Sequence, residues 1–170
     1  MKVTTSQKQF IEGRHPSKLF MPALEVKTST LHAWNDRGYM SFSKNGSGKS
    51  LFLSGPEVIQ ARCLFILKTS GCAPRVLGSR GLYDGIIAFT NACINAYEEC
   101  ISIEKMFLVY RITPFISGID TGYYDTEWEL KSEKDIFGPH ITEAHGTKPY
   151  SFWCVLGLSE ILKDMTKRIM

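Results

Sequence analysis

The sequence predicts an α+β protein in which helices come first and a small antiparallel sheet closed by a terminal helix comes last. Three observations carry this. Apolar residues recur at helical spacing, with recognisable start and stop residues, through residues 19–101. The long strand-like runs are confined to residues 105–157. The last segment, LSEILKDMTKRIM, returns to a helical period with Leu158, Ile161, Leu162, Met165 and Ile169 on one face. At 170 residues the chain suits one domain, or two small ones that share a core.

Taken in order, residues 1–18 are polar and read as an arm or a short helix. Residues 19–26 (LFMPALEV) suit a helix only if it begins near Pro22, because proline lacks an N–H and clashes with the preceding turn. Residues 27–38 form a short helix that Thr28 or Ser29 caps and that Gly38 ends in the left-handed conformation. Val26, Leu31, Trp34 and Tyr39 face the core; Lys27, Thr28, Ser29, His32, Asn35 and Arg37 face outward. YMSFS and SLFLS alternate like strands on either side of the turn-rich KNGSGK, which is a hairpin signal. Ser54 and Glu57 make a capping box, with Pro56 near the start of a helix that Gly71 stops. Pro74 starts a brief helix at PRVL, and Gly78 ends it. A long helix follows over residues 82–101, with Gly85 inside it. KMFLVYRIT is a strand that Pro114 ends, GYYDTEWELK a second, and PYSFWCVLG a third, with a polar loop over residues 132–149.

Composition excludes several classes. Apolar residues are 44% and charged residues 22%, which is ordinary for a soluble globular chain and argues against disorder, collagen and coiled-coil rods. No apolar run approaches the roughly 20 residues that span a bilayer. The start, MKVTTSQKQF, has no apolar stretch of the kind that directs secretion, so a cytoplasmic protein without a membrane partner is expected. The five cysteines (Cys63, Cys72, Cys93, Cys100 and Cys154) are odd in number and lack C-x-x-C spacing, and read as reduced core residues. Charge is uneven. Residues 1–80 hold twelve basic and four acidic residues, a net of +8, whereas residues 81–170 net −5. A polyanion partner for the first half alone follows.

Motifs that would carry chemistry are weak. Residues 43–50 (SKNGSGKS) resemble the phosphate loop of an ATPase, but Ser43 stands where its first glycine belongs, and LFLSGP follows where a helix must start. His140, Glu143, His145 and Cys154 match no usual zinc spacing. Asp125, Glu127 and Glu129 repeat at period two and read as the solvated face of a strand. No nucleophile turn of the G-x-S-x-G kind is present. The expectation is no catalytic residue, no metal and no cofactor.

The order helix, short helix, basic hairpin, capped helix resembles the MerR-like winged helix-turn-helix family over about residues 19–80. VKTSTLHAWNDRGY is similar to that family's V-S-x-x-T-L-R-Y-Y-E-x-x-G-L, with Thr30, Leu31, the aromatic Trp34 and Gly38 coinciding. LFLSGPEV resembles its R-x-Y-S-x-x-D-V, with Ser54, the acid Glu57 and Val58 coinciding. The family's Arg-Tyr pair is replaced by His32-Ala33, and its wing arginine by Leu51. The resemblance implies a winged helix-turn-helix over residues 1–80, then over residues 81–170 a linking helix and an α/β dimerisation or effector region. It implies a sequence-specific DNA-binding transcriptional regulator, with recognition helix 27–37 in the major groove and basic wing 40–53 on the backbone. Thr28, Ser29, His32 and Asn35 would meet base edges. Lys27, Arg37, Lys44 and Lys49 would meet phosphates, with Asn45 at the wing tip. The expected partners are double-stranded DNA, a second copy in a homodimer, and an effector or protein at the C-terminal half. The alternatives are an excisionase-like DNA architectural protein of a phage or mobile element, and a protein-interaction module that binds no DNA.

Overall fold

The computed structural model describes residues 1–42, 51–71, 79–114, 124–137 and 152–170. Lys44, Asn45 and Lys49 of the expected wing, the phosphate-loop-like stretch, the PRVL segment, and His140, Glu143 and His145 lie outside them. The chain is α+β. Its described elements are α1 (Thr5–Glu12), β1 (Arg14–Pro16), α2 (Ser17–Leu24), α3 (Thr28–Asp36), β2 (Phe52–Ser54), α4 (Gly55–Thr69), α5 (Ser79–Glu98), β3 (Met106–Pro114), β4 (Tyr124–Ser132), α6 (Glu133–Phe137), β5 (Phe152–Gly157) and α7 (Leu158–Ile169). Strands β1 and β2 form one antiparallel ribbon; β4, β3 and β5, in that order, form an antiparallel sheet.

Local chemistry accounts for most of these elements. The N-terminal segment is a helix because Thr4 and Gln7 form a reciprocal capping box: the Gln7 N–H donates to Thr4 Oγ1 at 3.2 Å and the Thr4 N–H to Gln7 Oε1 at 2.9 Å. The Ser54–Glu57 box starts α4 as the sequence predicts, with the Ser54 N–H donating to Glu57 Oε2 at 2.6 Å. Apolar residues lie all around α4, and Val58, Ile59, Ala61, Cys63, Leu64 and Leu67 are all buried, as a helix lacking a polar face must be. Gly71, with φ of 81°, stops the segment.

One apolar cluster runs through both halves of the chain. It joins Phe10, Phe20, Leu24, Leu31 and Ile59 of the first half to Leu82, Ile86, Phe89, Leu108, Leu156, Leu162 and Met165 of the second. Helix α7 turns its apolar face into the seam between α1, α2 and α4. Helix α5 packs on α4 and on β3 and β4, and approaches so closely that a Cβ at Gly85 would overlap the Leu108 side chain. The chain start is tied in as well: the Met1 amine donates to the Ile103 carbonyl, the Ile103 N–H donates to the Met1 carbonyl at 2.9 Å, and Lys2 pairs with Ser102. This cluster spans the division expected at residue 80. Among the described residues, Leu82, Ile86 and Phe89 of α5 and Leu108, Val109 and Leu156 of the sheet are buried within the chain, whereas Val155 is exposed. Among the described residues, no helix is long and apolar enough to cross a membrane.

Five local expectations are corrected. Residues 39–42 are not a strand, and SLFLS finds its partner upstream: Arg14, His15 and Pro16 face Ser54, Leu53 and Phe52, and the Ser17 N–H donates to the Leu51 carbonyl at 2.8 Å. Residues 39–42 still alternate, with Met40 and Phe42 buried and Ser41 exposed, because their side chains seal the head rather than extend a sheet. Pro22 lies well inside α2 rather than near its start; its ring is exposed and the helix ends two residues later, so little ladder is lost. The α3 N-cap is Lys27, without a side-chain cap bond, and Thr28 is already helical. Helix α5 ends at Glu98, where Cys100 takes a left-handed φ of 57° and leaves Ile101 exposed. The expected loop after β4 begins with α6, whose first turn is held by Ser132 and Asp135, the Ser132 N–H donating to Asp135 Oδ2 at 2.9 Å.

Two tests follow from this packing. Gly→Ala inside a helix ordinarily stabilises by about 0.5–1 kcal/mol. At Gly55 the new Cβ would overlap the Phe10 carbonyl and lie 2.7 Å from Ile11 Cα, which is backbone and cannot rotate away. Urea denaturation of Gly55→Ala should show a loss of about 1–3 kcal/mol. A chain ending at Gly157, which lacks α7, should show no cooperative thermal transition by circular dichroism.

Candidate nucleic-acid interface

Helices α2 and α3 are joined by three residues, Glu25, Val26 and Lys27. The turn is sharp because Glu25 adopts the left-handed conformation, φ 60° and ψ 28°, while its N–H still donates to the Met21 carbonyl at 3.2 Å. Two cations hold this turn from outside. Arg62 of α4 reaches the Leu24 carbonyl at 3.5 Å and lies 4.0 Å from both Glu25 and Asp164. Arg168 of α7 donates to Glu25 at 3.0 Å and to Asp164 at 2.7 Å. These bonds, Asp164 first and then Glu25, raise the Arg168 pKa above its ordinary value. Exposed ion pairs of this kind add little stability, but they fix where the turn sits.

Helix α3 has one buried edge, Leu31 and Trp34, at 0% and 4% exposure. It ends in a Schellman arrangement. Gly38, at φ 72°, donates to the Asn35 carbonyl at 3.1 Å, and the Tyr39 N–H donates to the Trp34 carbonyl at 2.8 Å. Gln60 of α4 then bonds the Tyr39 carbonyl at 3.2 Å, which ties the exit of α3 to the core.

With the helix so fixed, the residues expected to meet DNA divide into groups. Lys27, Thr28 and Ser29 are exposed together at the first turn. His32 follows one turn later and is half-buried, its ring 5.9 Å from that of Phe42. Asn35 is half-buried too, and its Oδ1 accepts the Phe42 N–H at 3.0 Å, so it positions the outgoing chain with the oxygen and keeps only its amide N–H groups for a ligand. Arg37 is exposed at the opposite end of the helix. Sequence reasoning missed the second part played by Asn35 and the bracing of the turn by Arg62 and Arg168. Neither leaves a local signal, since the partners lie on other elements.

Other chemistry is not assembled here. Among the described residues, no group of three or more His, Cys, Asp and Glu side chains is placed to hold a metal ion. Burial pushes the Cys93 thiol up to about 12, so it stays protonated and unreactive at neutral pH. Glu129 pairs with Lys131 at 2.8 Å on the surface. No protein-family model matches the chain, and no curated protein matches it either.

Because Trp34 is a buried support of α3 rather than a surface ring, Trp34→Ala should lose about 3–5 kcal/mol of stability. Chemical denaturation measures this; a variant of unchanged stability would place the ring outside the core.

Proposed function

We propose that the protein is a sequence-specific DNA-binding regulator of the MerR-like winged helix-turn-helix type, cytoplasmic and without catalytic activity, that inserts α3 into the major groove. The observation that carries this reading is the presentation of α3. One edge of this short helix is sealed into the core, its entry turn is braced by two other helices, and its first turn offers Lys27, Thr28 and Ser29 to solvent with His32 behind them. Hydroxyls and an imidazole at the start of an exposed helix suit base edges, and flanking cations suit phosphates. The net +8 of residues 1–80 supports the same partner. A single short helix reads few base pairs, so the proposal includes a homodimer on two half-sites. The case for that dimer rests on operator geometry.

The test is selection of duplex sequences by the full-length protein, followed by titration at several salt concentrations. The logarithm of affinity should fall with the logarithm of salt by about 0.9 for each phosphate contact. Lys27→Ala and Arg37→Ala should weaken all sequences alike and flatten that slope, whereas Ser29→Ala and His32→Ala should alter which bases are selected. Absence of selection, or affinity independent of salt, overturns the proposal. Footprints in bent arrays rather than paired half-sites favour the architectural alternative.

A further inference from the structure

The β1–β2 ribbon was not legible from sequence, and it brings together residues 35 and more positions apart. Its two faces differ. His15 and Leu53 lie opposite each other and are buried, with His15 Nε2–H donating to the Phe10 carbonyl at 2.8 Å. The other face carries Arg14, Pro16, Phe52 and Ser54. There Arg14 is exposed, and Phe52 keeps 36% of its surface in solvent. Arg14 is opposite Ser54 and Phe52 opposite Pro16, so cation and ring are diagonal neighbours, close enough for one ligand to touch both. Lys18, also exposed, follows the ribbon directly as the second residue of α2, where the Ser17 N–H is already bonded to Leu51.

The acids nearest in sequence are engaged elsewhere: Glu12 pairs with Lys8 at 2.8 Å and Glu25 with Arg168 at 3.0 Å, while Glu57 accepts from both the N–H and Oγ of Ser54, at 2.6 and 2.9 Å. Among the described residues neither Arg14 nor Lys18 forms an ion pair, whereas Lys8, Arg62, Lys105, Lys131, Lys163 and Arg168 all do. Arg14 and Lys18 thus join Lys27 and Arg37 as free cations within one stretch of 24 residues.

We propose that this outer face of the β1–β2 ribbon is a second nucleic-acid contact, in which Arg14 and Lys18 bind successive phosphates and Phe52 packs against the sugars between them. The occupant is the backbone of a duplex, because two unpaired exposed cations, one of them diagonal to an exposed apolar ring, suit phosphates and deoxyriboses. In sequence, β2 falls at the end of the range 40–53 expected to form the wing. The proposal rests on the reading of α3 as a DNA-binding helix and adds a grip that carries no sequence information.

Full-length protein would be titrated against a duplex it selects and a scrambled duplex, each over a range of salt. The double variant Arg14→Ala/Lys18→Ala should weaken both duplexes equally and flatten the salt slope by about 1.8, which is two contacts at about 0.9 each. Arg14→Lys/Lys18→Arg should keep the slope. Phe52→Ala should lower affinity several-fold at every salt concentration without changing the slope, since an apolar contact releases no counterions. Thermal melts confirm that each variant is folded. If the double variant keeps wild-type affinity and slope while Lys27→Ala still flattens it, the ribbon contact is wrong and the α3 reading stands. If the wild type binds no duplex, both fail together. If Phe52→Ala lowers the sedimenting mass and leaves DNA affinity unchanged, a second copy of the chain occupies this face and the proposal is overturned.

Discussion

The apolar face of α7 fills the seam between α1, α2 and α4, and the organisation of the whole head depends on that contact. Helices α1, α2 and α3 have eight, eight and nine residues. Isolated helices of that length are marginal in water, because the cost of nucleation is spread over too few hydrogen bonds. Helix α2 carries a further penalty in Pro22. What holds these pieces is burial, and much of the surface against which they are buried arrives from the far end of the chain. Leu158, Leu162 and Met165 are completely enclosed there. The Ser159 hydroxyl accepts the Met106 N–H at 3.0 Å, which pins the start of α7 to the sheet.

From that seam the constraint passes outward to α3. Helix α4 is buried over most of its length, with Arg62, Phe65 and Ile66 half-buried along one edge. Its Arg62 reaches the last carbonyl of α2, its Gln60 reaches Tyr39, three residues past the end of α3, and Arg168 of α7 closes on Glu25. Both ends of α3 are thereby referred to a buried frame. A helix held in this way loses little conformational entropy when a ligand docks on its open side, which is the physical advantage of preorganisation. The same frame explains why Asn35 and Phe42 are bonded together: the chain leaving α3 is directed before it reaches residue 43.

Much of this was readable from local pattern. The Ser54–Glu57 box, the stop at Gly71, the strand ending at Pro114 and the apolar face of α7 are each specified within a few residues, and each is found where the pattern puts it. The Thr4–Gln7 box has the same signature and escaped notice only because the surrounding residues are polar. The ribbon is different in kind. Arg14-His15-Pro16 has no strand pattern and acquires strand geometry only by meeting Phe52-Leu53-Ser54. Likewise YMSFS has the alternation of a strand but uses it to seal a core, because β2 is already paired elsewhere. At the candidate interface, periodicity separated the sealed edge of α3 from its open side. It could not show that His32 and Asn35 are half-enclosed by Phe42, since that contact depends on the path of the chain after the helix.

Strand β5 passes into α7 without a connecting loop, the junction being Gly157 and Leu158. This has a consequence for biosynthesis. A ribosome releases the chain from its N-terminal side onward, and α7, which completes the seam, emerges after every other described element. The N-terminal helices are therefore made before part of their support exists, and until then Phe10, Phe20 and Leu24 lack the cover that α7 provides. The head cannot complete its core before α7 has emerged. A nascent or prematurely terminated chain would expose an unfinished apolar surface to chaperones and proteases, and would not act as a free-standing N-terminal domain.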